Sequence, residues 1–135
     1  MKFECVVPIL NVRDFAASME YYVKKLGFTK KWDWGTPPTF GCVTRDKVDI
    51  FLCEGAQGHP GVWMSIFMED VDALHEEYKQ SGATIRLPPT NMPWRTREMN
   101  VEDPDGHRFR MGSDATGPAD GEGMKRFMEM EQSAR

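Results

Sequence analysis

Cysteine is scarce in this 135-residue chain: Cys5, Cys42 and Cys53 are all it carries, and no two are spaced as CxxC. An odd, scattered set excludes a disulfide framework and a thiolate zinc site, and reads as buried thiols in a reducing compartment. Long apolar runs are missing too, since nothing approaches the roughly 20 residues that span a bilayer. The start, Met1-Lys2-Phe3-Glu4-Cys5, is too polar and too short for a signal peptide, which makes the cytoplasm the expected location. Nor is there an excess of positive charge. With 17 Lys and Arg against 21 Asp and Glu, the net charge of −4 argues against nucleic acid or an anionic membrane as partner. There is no glycine-rich phosphate loop. His59, His75 and His107 fall in a linker, on a helix and after a turn, where ordinary surface or turn roles are expected. No Ser-His-Asp or Cys-His pairing can be argued, so no catalytic residue is assigned.

What the chain does contain is a repeat. A strand ending in Pro8-Ile9-Leu10-Asn11-Val12 leads to Asp14 and a helix that closes at Tyr22 and Gly27. Met64-Ser65-Ile66-Phe67-Met68 leads to Asp70 and a helix that closes at Tyr78 and Gly82. The two aspartates stand 56 positions apart, and so do the two tyrosines. Each aspartate is a helix N-cap, and each glycine supplies a left-handed C-terminal stop. Behind each helix there is room for three more strands, so the chain reads as two copies of one unit with a cleft between them.

Alternation and turn chemistry place the remaining elements. Strands are expected over 3–10, 28–34, 39–44 and 48–53, then after a glycine-rich linker over 61–68, 83–86, 94–101 and 107–111. The strand at 83–86 is expected to be cut short by Pro88-Pro89. Hairpins should turn at Arg45-Asp46-Lys47 and at Asp103-Pro104-Asp105-Gly106. The expected divisions are 1–56, 57–113 and a tail, 114–135. In the tail, Met124, Phe127, Met128 and Glu131 suggest a short amphipathic helix.

These residues resemble the vicinal oxygen chelate superfamily of glyoxalases, extradiol dioxygenases, thiol-transferring fosfomycin enzymes and bleomycin-resistance proteins. The motifs are Asn11-Val12-Arg13-Asp14 before the first helix, Tyr21-Tyr22 with Leu26-Gly27-Phe28 at its end, and Val101-Glu102-Asp103-Pro104-Asp105-Gly106 before the last strand. The resemblance implies an α+β fold of two βαβββ modules forming an incomplete barrel with a central cleft, and a homodimer. Catalytic members hold a divalent metal on histidine and glutamate from the first and last strands of each module. Carried to this chain, those positions fall on Pro8, Phe51, Trp63 (or its neighbour) and Arg110. None of these side chains donates an electron pair to a hard cation, so no metal or other cofactor is expected.

The alternation of strands places other residues beside these positions. Asp49 accompanies Phe51, and Glu98 and Asn100 come from the strand next to Arg110. Trp32, Trp34 and Phe40 come from the first module, and Trp94 follows the Pro88-Pro89-Thr90-Asn91-Met92-Pro93 segment. Flat rings bind planar or cationic ligands by stacking and quadrupole attraction. The segment 88–100 looks like the bleomycin-resistance branch, so the reading is a metal-independent antibiotic-resistance-type protein that sequesters a planar or cationic small molecule, with a bleomycin-type antibiotic as one candidate. Trp32, Trp34, Phe40, Phe51, Trp63 and Trp94 would stack, and Asp49, Glu98, Asn100 and Arg110 would set polarity. The enzyme-class alternative is a glyoxalase-like lyase, isomerase or dioxygenase with an unrecognised metal site. A third is a degenerate paralogue acting as a protein-interaction module.

Overall fold

The computed structural model describes residues 1–133. It contains two units. The first comprises Met1–Val62 together with Asp103–His107, and the second comprises Trp63–Glu102 and the chain from Arg108 onward.

In the first unit, β1 (Ile9–Val12), α1 (Phe15–Lys24), β2 (Thr29–Gly35), β3 (Pro38–Arg45) and β4 (Val48–Glu54) form a four-stranded sheet in the order β1-β4-β3-β2, with α1 on one face. The Asp14 side chain accepts from the Ala17 N–H at 3.1 Å, meeting one of the donors a helix start leaves unpaired. Beneath α1 lie the buried side chains of Leu10, Val12, Val43, Ile50 and Leu52, packed with Phe15, Tyr22 and Leu26. Gly41 permits this approach, because a Cβ there would come within 2.7 Å of the Phe15 ring.

The second unit repeats the plan with β5 (Trp63–Phe67), α2 (Val71–Ser81), β6 (Thr84–Asn91), β7 (Thr96–Glu102) and β8 (Arg108–Asp114), ordered β5-β8-β7-β6. Asp70 caps α2 through the Ala73 N–H at 3.1 Å, and Gly82 ends it at φ 83°. Val71, Tyr78, Met99, Val101, Phe109 and Met111 form its core. The fold is thus α+β, two βαβββ modules, as the repeat and the resemblance imply. Among the described residues, no helix is long and apolar enough to cross a membrane.

Several local expectations need correction. The first strand begins at Ile9, because only Ile9–Val12 find parallel partners on β4; Met1, Phe3 and Val6 are exposed. Strand β6 runs straight through Pro88 and Pro89. It is an edge strand with a register shift between Leu87 and Thr90, the setting in which a missing N–H leaves no ladder bond broken. The last strand, expected to stop at residue 111, runs on to Asp114, the first residue of the expected tail. The tail helix, α3 (Gly121–Ser133), packs Phe127, Met124 and Met130 against Leu87 and Met92, leaving Met128 exposed.

His107 is also not a surface residue. It is fully buried in the first unit, where Nδ1 accepts from the Val62 N–H at 3.0 Å and Nε2 meets the Asn11 carbonyl at 2.7 Å. One nitrogen accepting and the other donating specifies the neutral Nε2–H tautomer. Beside it, Asp103 accepts from the Tyr22 hydroxyl at 2.6 Å and from the N–H groups of Asp105 and His107 at 2.9 Å each. Burial, and then the Asp103 charge, push the Tyr22 phenol well above its ordinary value, so it remains the donor.

Candidate functional site

The face of each sheet turned away from its helix carries the residues singled out by sequence. In the first unit, β2 and β3 pair Trp32 with Cys42 and Trp34 with Phe40, while β3 and β4 pair Cys42 with Phe51. These residues therefore share one face. Trp32, Phe40 and Phe51 form a ring cluster with centroids 5.5 Å (Trp32–Phe40), 5.2 Å (Trp32–Phe51) and 5.6 Å (Phe40–Phe51) apart, tilted to edge-on. Such contacts orient the rings, and Trp32 keeps 37% of its surface exposed. Trp34 stands outside the cluster at 72% exposure.

Asp49 lies on the same face, but its charge is spoken for. Lys31 Nζ sits 2.8 Å from one carboxylate oxygen and Thr44 Oγ1 donates to the other at 2.6 Å. The hydrogen bond from Lys31, followed by that from Thr44, lowers the Asp49 pKa. Lys31 was not singled out from the sequence. It is the extra residue at a register shift between Lys30 and Trp32, and bulges are not legible in alternation.

In the second unit Trp63, Ser65 and Phe67 on β5 pair with Arg108, Arg110 and Gly112 on β8, which in turn pair with Glu102, Asn100 and Glu98 on β7. Glu98 is the hub of this face. Only 5% exposed, it accepts from Trp94 Nε1 at 2.6 Å, from Thr96 Oγ1, and from Arg110 through Nε at 2.8 Å and Nη2 at 3.0 Å. The forked guanidinium–carboxylate geometry is the strong form of this contact. The Arg110 guanidinium lies 5.6 Å from the Trp94 ring centroid, and the Arg108 guanidinium 5.5 Å from that of Trp63. Phe127 of α3 meets Trp94 edge-on at 5.9 Å. Arg108 donates to Asn100 Oδ1 at 3.1 Å. Thr96 and Phe127 act through contacts that no local pattern announces.

The positions implied for a metal can now be tested on their chemistry. The register sets Ile9 opposite Phe51, and Ser65 opposite Arg110. These are one and two residues from Pro8 and Trp63, because parallel pairing follows main-chain hydrogen bonds and not a count from the helix cap. Of the side chains concerned, only the Ser65 hydroxyl offers a lone pair, and Arg110 brings a positive charge. Among the described residues, no group of three or more His, Cys, Asp or Glu side chains could hold a metal ion. The donor set does not fit a divalent cation.

A family model described as "Glyoxalase/Bleomycin resistance protein/Dioxygenase superfamily" matches residues 4–111. Solved structures share the fold. TioX from Micromonospora sp. ML1 is 19% identical, with a TM-score of 0.74 over 83% of this chain and 99% of that one. The bleomycin-binding protein of bleomycin-producing Streptomyces verticillus, solved with copper(II)-bleomycin, is 26% identical, with a TM-score of 0.69 over 84% and 98%. A bleomycin resistance determinant encoded on the transposon Tn5 is 18% identical, with a TM-score of 0.71 over 83% and 98%. A search of curated proteins finds no match.

Proposed function

We propose, for a chain that belongs to the glyoxalase, bleomycin resistance protein and dioxygenase superfamily, a metal-independent binding role: it sequesters a planar small molecule on the aromatic faces of its sheets. One observation carries the reading. At the positions to which the family's metal donors carry over, Pro8, Phe51, Trp63 (or its neighbour) and Arg110, no side chain gives an electron pair to a hard cation, while Phe51 and Arg110 stand beside aromatic rings. The similarity to a protein solved with copper(II)-bleomycin supports ligand capture as the role of the fold here. Trp32, Phe40 and Phe51 supply one stacking surface, with Trp34 at its edge. Trp63 and Trp94 supply another, and Glu98 and Arg110 hold Trp94 in place.

A charged ring system is not required by this reading. The indole faces that could attract a cation in the second unit each already carry a guanidinium of the chain, Arg108 on Trp63 and Arg110 on Trp94. The protein would act as a cytoplasmic homodimer, for which the exposed apolar side chains of Met1, Phe3 and Val6 provide a surface to cover.

Tryptophan fluorescence titration tests the proposal. Metal-free bleomycin and a panel of planar heteroaromatic compounds should include ligands that quench emission, with the same midpoint in excess chelator. Each good ring contact should contribute about 0.5–1.5 kcal/mol, so Trp32→Ala should weaken such a ligand roughly 2- to 12-fold. A binding or catalytic activity that disappears with chelator and returns with Zn²⁺, Ni²⁺, Mn²⁺ or Fe²⁺ would refute metal independence.

A further inference from the structure

Charge on the open face of the second unit's sheet is uneven. Glu98 is saturated by Arg110, Trp94 and Thr96. Glu102 is shared: Arg86 binds it directly, and Arg108 Nε stands 3.7 Å away. With Asp114 opposite Thr96 on the same face, three guanidiniums meet three carboxylates, and Arg108 is the one paired most loosely, with Glu102 alone at 3.7 Å.

Asn100 is the second, independent observation. It is 2% exposed, and its Oδ1 is turned toward Arg108 Nη1. That leaves the amide nitrogen, with its two hydrogens, as the open end, and among the described residues it has no acceptor. Among the described residues no fully enclosed side-chain N or O lacks a partner, so this nitrogen is not sealed off. The Ser65 hydroxyl and the Arg108 Nη2 group, on the same and the adjoining rung, also have no acceptor in the described chain. Three neighbouring donors, one of them on a loosely paired guanidinium, call for an acceptor, and an anionic one can replace water there. Beside them, the partly exposed Trp63 ring offers a plane.

We propose that Asn100, Arg108 and Ser65 form an anion subsite that takes the carboxylate of a planar aromatic acid whose ring stacks on Trp63. The assignment rests on the aromatic faces being ligand-binding, and it deepens that reading by fixing the sign of the ligand's charge. A cationic ligand would meet Arg108 and Arg110 where it needs a carboxylate.

Two probes with one ring system separate the cases: 2-naphthoate and 2-naphthylmethylammonium, titrated into the intact chain by calorimetry and tryptophan fluorescence. The naphthoate should bind at least about tenfold tighter, a preference that shrinks as salt is raised. Asn100→Asp should abolish that preference. Because Asn100 is enclosed, Arg108→Gln is the companion variant, and it should do the same while circular dichroism reports a folded chain. Equal or tighter binding of the ammonium probe, or an unchanged preference in folded Arg108→Gln, overturns the anion subsite and leaves ring stacking standing. Failure of both probes to bind overturns the subsite and the stacking role together.

Discussion

Replacing Glu98 by glutamine removes one charge and one acceptor oxygen from a hub that serves three donors. The wild-type carboxylate receives Trp94 Nε1 at 2.6 Å, Arg110 Nε at 2.8 Å and Nη2 at 3.0 Å, as well as the Thr96 hydroxyl. In Glu98→Gln the amide N–H₂ must face an N–H of Trp94 or Arg110, neither of which can accept, although the Thr96 hydroxyl can turn to do so. Hydrogen bonds to a charged group contribute about 1.5–3 kcal/mol each, and orphaning one partner of a buried pair costs about 3–5 kcal/mol. Glu98 is buried, but the Arg110 side chain is 36% exposed and regains water, so the penalty is discounted. A loss of about 2–4 kcal/mol is the expected outcome. With a urea slope of about 2 kcal/mol per M, a 3 kcal/mol loss lowers the unfolding midpoint by roughly 1.5 M at unchanged slope. The double variant Glu98→Gln with Arg110→Gln should recover part of the loss, since the stranded guanidinium is then gone. A loss below about 0.5 kcal/mol, or strict additivity of the two substitutions, would refute the reasoning that Glu98 is the hub.

Two other consequences are accessible to routine measurement. The Tyr22 phenol, raised above its ordinary 10.0 by burial and by Asp103, has a higher affinity for its proton in the folded chain than in the unfolded one. Its contribution to stability is therefore intact below about pH 10 and lost as pH climbs toward the raised value. Tyr22→Phe should remove this alkaline component from the pH dependence of thermal unfolding and cost about 1–3 kcal/mol at pH 7, because Asp103 is left short of a donor. An alkaline profile identical to wild type would contradict it. Gly123→Ala places a Cβ 2.2 Å from Thr90 Cγ2, so α3 must shift from β6. A cost of about 1–3 kcal/mol is expected, together with a changed Trp94 emission as Phe127 withdraws; wild-type stability and emission would sink the claim.

The elements most legible in the sequence are those whose signals are local. Asp14 and Asp70 cap their helices through the N–H three residues on, as any helix start with an adjacent carboxylate tends to. Alternation alone put Asp49 beside Phe51, and Glu98 and Asn100 on the strand next to Arg110. Where sequence reading went astray, a partner distant in the chain had overridden a local rule. Pro88 and Pro89 stay in β6 because that strand is at an edge, and whether a strand is at an edge is settled by its neighbours. Residues 3–8 alternate like a strand, but alternation without an adjoining main chain to bond yields no ladder. The neighbours of His107 in sequence mark it as a turn residue, whereas Val62 and Asn11, 45 and 96 positions away, hydrogen-bond its ring.

The amino-acid sequence by itself determined the two-module plan, the caps and turns that delimit it, and which rings and charges alternate onto a common sheet face. Each of these depends on residue type and short-range spacing. Tertiary structure alone decided how charge is distributed among those residues: that Glu98 is spent on Arg110 and Trp94, that Lys31 cancels Asp49, and that the Asn100 amide is left open beside Arg108. Whether a side chain is free or taken depends on distances of a few ångströms between strands far apart in the chain, which no count along it can supply.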